Sequence, residues 1–244
     1  NYTYRRKLYT THALRFEYFN YEISDSVAVR NPNFLGEGST DLGFFMLTYN
    51  FNYDLRDSKI YPLEGFAVRI RAEQMGLGII TDYPYKNLRF TGVILFHQMI
   101  ANRVYFNNAT KARYSMEKMM PYVLGRGLGY NEFLSGYEEY VMDGTDYFIT
   151  KYNLKFQVIR PTTRTIPFIR MEQFNKVHYA VYINMFADAG YVNNVFPAPT
   201  NTMVNDWQFS AGIGLDFVTY YDQVLRIDYA VSYTHLTLPT KRIV

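Results

Sequence analysis

The chain has no cysteine among its 244 residues. That excludes a disulfide scaffold and any thiolate metal site, and it leaves the compartment open. Excess charge is also scarce: the formal net charge is +3 without a basic run, so nothing points to a nucleic-acid partner. Long apolar runs are missing, since no segment approaches the roughly 18 to 20 consecutive apolar residues of a membrane helix. No signal peptide is visible at Asn1. The four histidines, His12, His97, His178 and His235, show no ligand spacing, and no Ser-His-Asp arrangement is visible. The glycines of GRGLGY (Gly125 to Tyr130) follow no strand-to-helix pattern, which argues against a nucleotide loop. No catalytic residue, cofactor or metal site is expected, and the chain does not read as an enzyme.

Aromatic side chains, by contrast, are abundant. Tyr and Phe number 25 and 19, yet the mean hydropathy is only −0.21. Such a balance suits a sheet protein whose apolar surface is confined to alternate positions. From Leu47 to Arg56 the chain alternates without error: Leu47, Tyr49, Phe51, Tyr53 and Leu55 on one side, Thr48, Asn50, Asn52, Asp54 and Arg56 on the other. The same period of two recurs around Phe66 to Glu73, Phe148 to Val158, Trp207 to Phe217 and Leu225 to Ser232. Weaker strands are expected at His12 to Ile23, Lys86 to Gln98, Arg103 to Met116 and Tyr179 to Tyr191. The sum is about nine strands and no convincing helix.

Strands of this kind suit either a soluble sandwich, apolar face inward, or a transmembrane antiparallel β-barrel, apolar face outward. Several run about ten residues or more, the length that crosses a bilayer at a tilt, whereas soluble strands average about five to six. Their polar faces carry mid-strand charge, as at Arg69 with Arg71 and Lys151 with Lys155. Short connections (Ile100 to Asn102, Tyr220 to Gln223) interleave with long ones (Val29 to Leu42, Glu117 to Asp146, Asn193 to Asp206), the rhythm of a membrane barrel. The connection after Arg160, PTTRTIPF, is longer than that rule allows. These features favour the all-β transmembrane barrel.

Three stretches taken in order then carry a resemblance. They are Tyr114 to Arg160, with Leu134-Ser135-Gly136-Tyr137 in its long loop; MFADAGYV (Met185 to Val192); and FSAGIGLDF with LRIDYAVS (Phe209 to Ser232). Together they resemble the C-terminal barrel of the BamA/TamA superfamily, and DLRDSKIYPLEG (Asp54 to Gly65) is similar to a periplasmic turn of that family. The resemblance spans roughly Leu8 to Ser232. It implies a sixteen-stranded bacterial outer-membrane barrel, of which this chain supplies the seventh to fifteenth strands. It also implies that the loop at 117–146 folds back into the lumen. There a Val/Leu-Arg-Gly-Phe/Tyr motif packs against the wall near the Asp of a Phe-x-Asp-x-Gly strand. Carried over residue by residue, the latch and wall positions are Gly136, Tyr137, Asp188 and Gly190. The family's loop arginine is Ser135 here, and Arg126 of the same loop is the substitute candidate.

The residues also have plainer readings. Asp143-Gly144, counted with the latch and wall positions, reads first as a turn returning the chain to the next strand. Asp188 reads as a lumen residue in an ion-pair network. Gly212 and Gly214 relieve crowding or admit an inserted loop. The implied function is insertion of client outer-membrane β-barrel proteins, with outer-membrane lipid and periplasmic assembly lipoproteins as further partners. A passive pore, or a secretion transporter of the same superfamily, are the alternatives. The chain opens mid-pattern without Met, and SYTHLTLPTKRIV breaks the alternation at Pro239. The expectation is therefore a piece of a longer protein: a partial barrel domain over residues 1–232 and a non-native tail over 233–244.

Overall fold

The computed structural model describes residues 1–79, 86–165, 176–197, 201–219 and 223–233. They form a single ten-stranded antiparallel sheet in chain order: β1 (Tyr2–Lys7), β2 (Thr10–Glu22), β3 (Asp41–Asp54), β4 (Gly65–Met75), β5 (Asn87–Ala101), β6 (Val104–Ser115), β7 (Asp146–Thr165), β8 (Lys176–Asn193), β9 (Trp207–Thr219) and β10 (Val224–Tyr233). Among the described residues β1 and β10 share no ladder, so the sheet is open. The fold is all-β, as the alternation predicts, with one strand more than the nine expected. That strand is β1, whose Arg5, Arg6 and Lys7 interrupt the apolar period.

Strand positions agree with the sequence reading, and most strands are longer than expected, although β6 is shorter at 12 residues. β7 has 20 residues and β8 has 18. Much of the over-long connection after Arg160 is therefore strand: Thr162 to Thr165 pair with Tyr179 to Lys176 beyond two register shifts. Pro161 lies within the second shift, where a residue without an N–H interrupts no regular ladder. Ile166 to Phe168, residues 220–222 of the last short connection, His235 and the tail over 234–244 with Pro239 lie outside the described residues.

One short helix, α1 (Asp25–Arg30), sits in the connection between β2 and β3. Asp25 in its first turn and Arg30 in its last complement the helix dipole. Six residues are too few to show a helical period, which is why the pattern did not reveal it.

Burial inverts the usual rule for a soluble sheet. Along β8, Asn184 and Asp188 are 1% and 4% exposed, whereas Ile183 and Met185 on either side of Asn184 are 46% and 54% exposed. On β9, Gln208, Ser210 and Asp216 are buried while Phe209, Ile213 and Leu215 are exposed. The covered face is the polar one. Its cover is supplied by the chain itself: residues 116–145 lie over one rim and the β3–β4 turn, residues 55–64, over the other. Aromatic side chains of the uncovered face form clusters at both rims, with Phe16, Tyr49 and Tyr152 exposed in mid-strand. Phe148, Tyr191, Trp207 and Phe209 cluster at the loop rim, and Tyr53 with Phe66 and Tyr179 with Phe217 at the turn rim. Ile70, Ile94, Ile183 and Ile213 lie exposed between them.

Candidate functional site

The loop between β6 and β7 begins with a single 3-10 turn, Tyr122–Leu124, and then forms a closed lobe over residues 125–144. Its neck is sealed by backbone bonds. The Gly144 N–H donates to the Gly125 carbonyl at 2.8 Å, and Leu128 and Met142 exchange N–H to O=C bonds at 3.0 and 2.9 Å. Leu128, Leu134, Tyr137 and Met142 are buried, and they pack on Tyr147, Ile149 and Val192 of the sheet. An apolar patch at the loop end of the otherwise polar face thus gives the lobe its seat; burying such side chains is worth about 1.5–3 kcal/mol each.

The lobe's tip carries the predicted motif. Ser135 donates twice to Asp188 Oδ2, from its N–H at 3.1 Å and from its hydroxyl at 2.7 Å. Lys151 Nζ lies 3.6 Å from the same oxygen. Ser135, where the resemblance implies an arginine, thus engages the wall through neutral donors to a charged acceptor. The Tyr137 hydroxyl donates to the Phe209 and Tyr233 carbonyls at 3.2 and 2.5 Å, spanning β9 and β10. Burial pushes the Tyr137 phenol up to about 12. Gly136 has φ 79, and a Cβ there would lie 3.3 Å from Ser232 Cβ on β10, so both its backbone and its fit suit glycine. Gly190 matters for space alone: a Cβ would lie 2.6 Å from Leu134 Cδ1. Gly136, Tyr137, Asp188 and Gly190, predicted from separate stretches, meet in one contact.

Asp143 and Gly144 lie elsewhere, at the neck. They lead into β7 as expected, but their bonds run across the lobe: Asp143 accepts the Tyr122 hydroxyl at 3.0 Å and the Tyr130 hydroxyl. Burial, then the bond to Asp143, raises the Tyr130 phenol well above its usual range. Arg126 does not act as the substitute latch. Its guanidinium lies over the Tyr130 ring within the loop, 5.5 Å from the centroid.

A second centre escaped the sequence reading. Tyr61, from the β3–β4 turn, donates its hydroxyl to Asp216 Oδ2 at 2.8 Å. Asp216 is fully buried and also accepts Asn184 Nδ2 at 3.0 Å and Arg226 Nε at 2.7 Å. Lys155 Nζ stands 3.7 Å from the centroid of the Tyr61 ring, which also tilts against Tyr182. Burial, then the nearby Asp216 charge, raises the Tyr61 phenol far above its ordinary range. Polar alternation placed Asp216 and Arg226 on the right face, but nothing in the local pattern marked Tyr61 as their partner. Gly214 lies between Asn184 and Asp228, and the Phe186 ring covers Gly212.

These contacts are mechanical. They fasten a loop and a turn to a sheet wall, and among the described residues no group of His, Asp or Glu side chains could hold a metal ion. No protein-family model and no curated protein matches this chain.

Proposed function

We propose that this sheet is the lipid-facing wall of a bacterial outer-membrane β-barrel of the BamA/TamA type, acting in the insertion of client β-barrel proteins. The observation that carries the reading is the inverted burial. A sheet that leaves Ile183, Met185 and Ile213 uncovered while enclosing Asn184, Asp188 and Asp216 suits an apolar medium outside and a polar lumen within. The exposed aromatic clusters toward both rims agree with interfacial girdles. Docking of Leu134-Ser135-Gly136-Tyr137 against Asp188 and Gly190 supports the particular family. On that reading β1 to β10 are the sixth to fifteenth strands of sixteen.

In such a barrel, client strands pair with exposed backbone at a lateral seam, and main-chain hydrogen bonds template them. This chain's residues hold the wall and the inserted lobe in shape beside that seam. Outer-membrane lipid, client barrels and periplasmic assembly lipoproteins are the partners. The test is client assembly: Tyr137→Ala and Asp188→Ala are expected to lower outer-membrane levels of other barrel proteins. Wild-type levels in both variants, with the lobe as protease-resistant as before, would overturn it.

One observation favours a passive anion-passing pore instead: Arg69 and Arg71 are exposed on the polar face. Large, steady, anion-selective conductance in planar bilayers would support that alternative; small, flickering conductance would support the insertase.

A further inference from the structure

The lobe is held at its neck as well as at its tip. Arg113, on the polar face of β6, reaches both limbs of the neck at once. Its Nε donates to the Thr145 carbonyl at 2.9 Å, and one terminal nitrogen donates to the Gly144 carbonyl at 2.8 Å and to the Arg126 carbonyl. Thr145 and Gly144 belong to the limb leaving the lobe, and Arg126 to the limb entering it. The guanidinium also lies over the Tyr147 ring, 4.5 Å from its centroid. One strand away, buried Arg89 donates to the Leu124 carbonyl on the entering limb at 2.8 Å and to Ser115 Oγ at 3.2 Å.

We propose that Arg113, backed by Arg89, is the positioning residue that keeps the lobe inserted, with the guanidinium supplied by the wall and the acceptors by the loop backbone. The donor side is thus reversed from the loop arginine that the resemblance implies. Carbonyls at a loop neck have no ladder partner: the Thr145 carbonyl also accepts the Ser115 hydroxyl at 3.2 Å, whereas for the part-buried Gly144 carbonyl the loss of its donor is costly. Guanidinium is suited to this task because its planar fork presents several N–H groups in fixed directions. An ammonium is a point donor on a flexible stem, so lysine at this position satisfies one limb and releases the other. The tip, held by serine and tyrosine hydroxyls, is then the part free to disengage while the neck stays closed. This deepens the inserted-lobe reading, but its test reads the lobe alone and does not depend on client assembly.

The experiment is limited chymotrypsin digestion of the full chain in detergent or lipid vesicles, following cleavage at Phe133 and Tyr140, both exposed in the lobe. Arg113→Gln is expected to speed cleavage by about tenfold or more, and Arg89→Gln by less, because charge-assisted bonds are lost at a transiently opening segment. Arg113→Lys is expected to fall near Arg113→Gln, with the strand signal in circular dichroism unchanged. Ser135→Ala is expected to give a smaller rise than either Arg113 variant. Wild-type protection in Arg113→Lys would mean that charge alone suffices, and wild-type protection in Arg113→Gln would mean that the backbone pairs close the neck unaided. Either result overturns the assignment, as would a greater effect from Ser135→Ala. Should Arg113→Gln lose its strand signal, the lysine variant decides.

Discussion

The carboxylate of Asp188 takes both hydrogen-bond donors of Ser135, a residue 53 positions earlier in the chain. Asp188 faces the covered side of β8, so this acceptor sits away from solvent and its bonds are not diluted by competing water.

Ser135→Ala removes the 2.7 Å bond but keeps the backbone one. It is expected to weaken docking of the tip by about 0.5–1.5 kcal/mol, the net worth of one hydrogen bond, because the Ser135 N–H and Lys151 still face the carboxylate. Asp188→Ala removes both bonds and leaves the Ser135 amide without its acceptor, so its loss should be larger, with Asp188→Asn between. Amide hydrogen exchange across residues 128–142 reads the order, and an equal effect from all three would contradict it.

Tyr61→Phe deletes the hydroxyl that Asp216 accepts and leaves the ring in place. With Asp216 fully buried, the expected cost is roughly 1–3 kcal/mol. A lower denaturation midpoint, read by circular dichroism, checks it. An unchanged midpoint would mean that Arg226 and Asn184 satisfy the carboxylate alone.

The lobe tip should loosen at alkaline pH. A free tyrosine ionises near 10, whereas Tyr137 in place ionises at about 12. Between those values the undocked phenol has lost its proton and the docked one keeps it. Docking is therefore fully favoured below about 10 and weakens as pH rises toward about 12. A phenolate also cannot donate to the Phe209 and Tyr233 carbonyls. Tyr137→Phe should reduce this pH dependence of lobe protection, leaving the share that the raised Tyr130 phenol contributes at the neck.

Trp207 is the single tryptophan, and it is 49% exposed on the apolar face at the loop rim. In vesicles its fluorescence should be quenched by lipids brominated near the headgroup more than by lipids brominated deep in the chains. Absence of quenching by both would remove the lipid-facing assignment.

Arginine scanning of the same face should report depth. Ile213→Arg lies well away from either rim and is expected to cost about 2–4 kcal/mol, against about 0–1 kcal/mol for Trp207→Arg near the interface. Equal penalties in a folding titration would contradict a bilayer around this face.

Strand content and the assignment of side chains to two faces were legible because period two is a local property: Leu47 to Arg56 states its faces without reference to any other segment. β1 was hidden because three successive cations mask its alternation, and α1 because six residues span less than two turns. Of the latch residues, Gly136, Tyr137, Asp188 and Gly190 were reached through resemblance. Arg113, Arg89 and Tyr61 were not, since a carbonyl acceptor leaves no mark in the sequence and the Asp216 partner of Tyr61 is 155 positions away.

By itself, then, the sequence determined that the chain makes long antiparallel strands with one apolar and one polar face. Only the tertiary structure decided which face is covered, because the cover comes from residues 116–145 and 55–64 and depends on where those segments fold. It also decided that Ser135 meets Asp188, since a short hydroxyl reaches the carboxylate once the Gly136 backbone lies against β10.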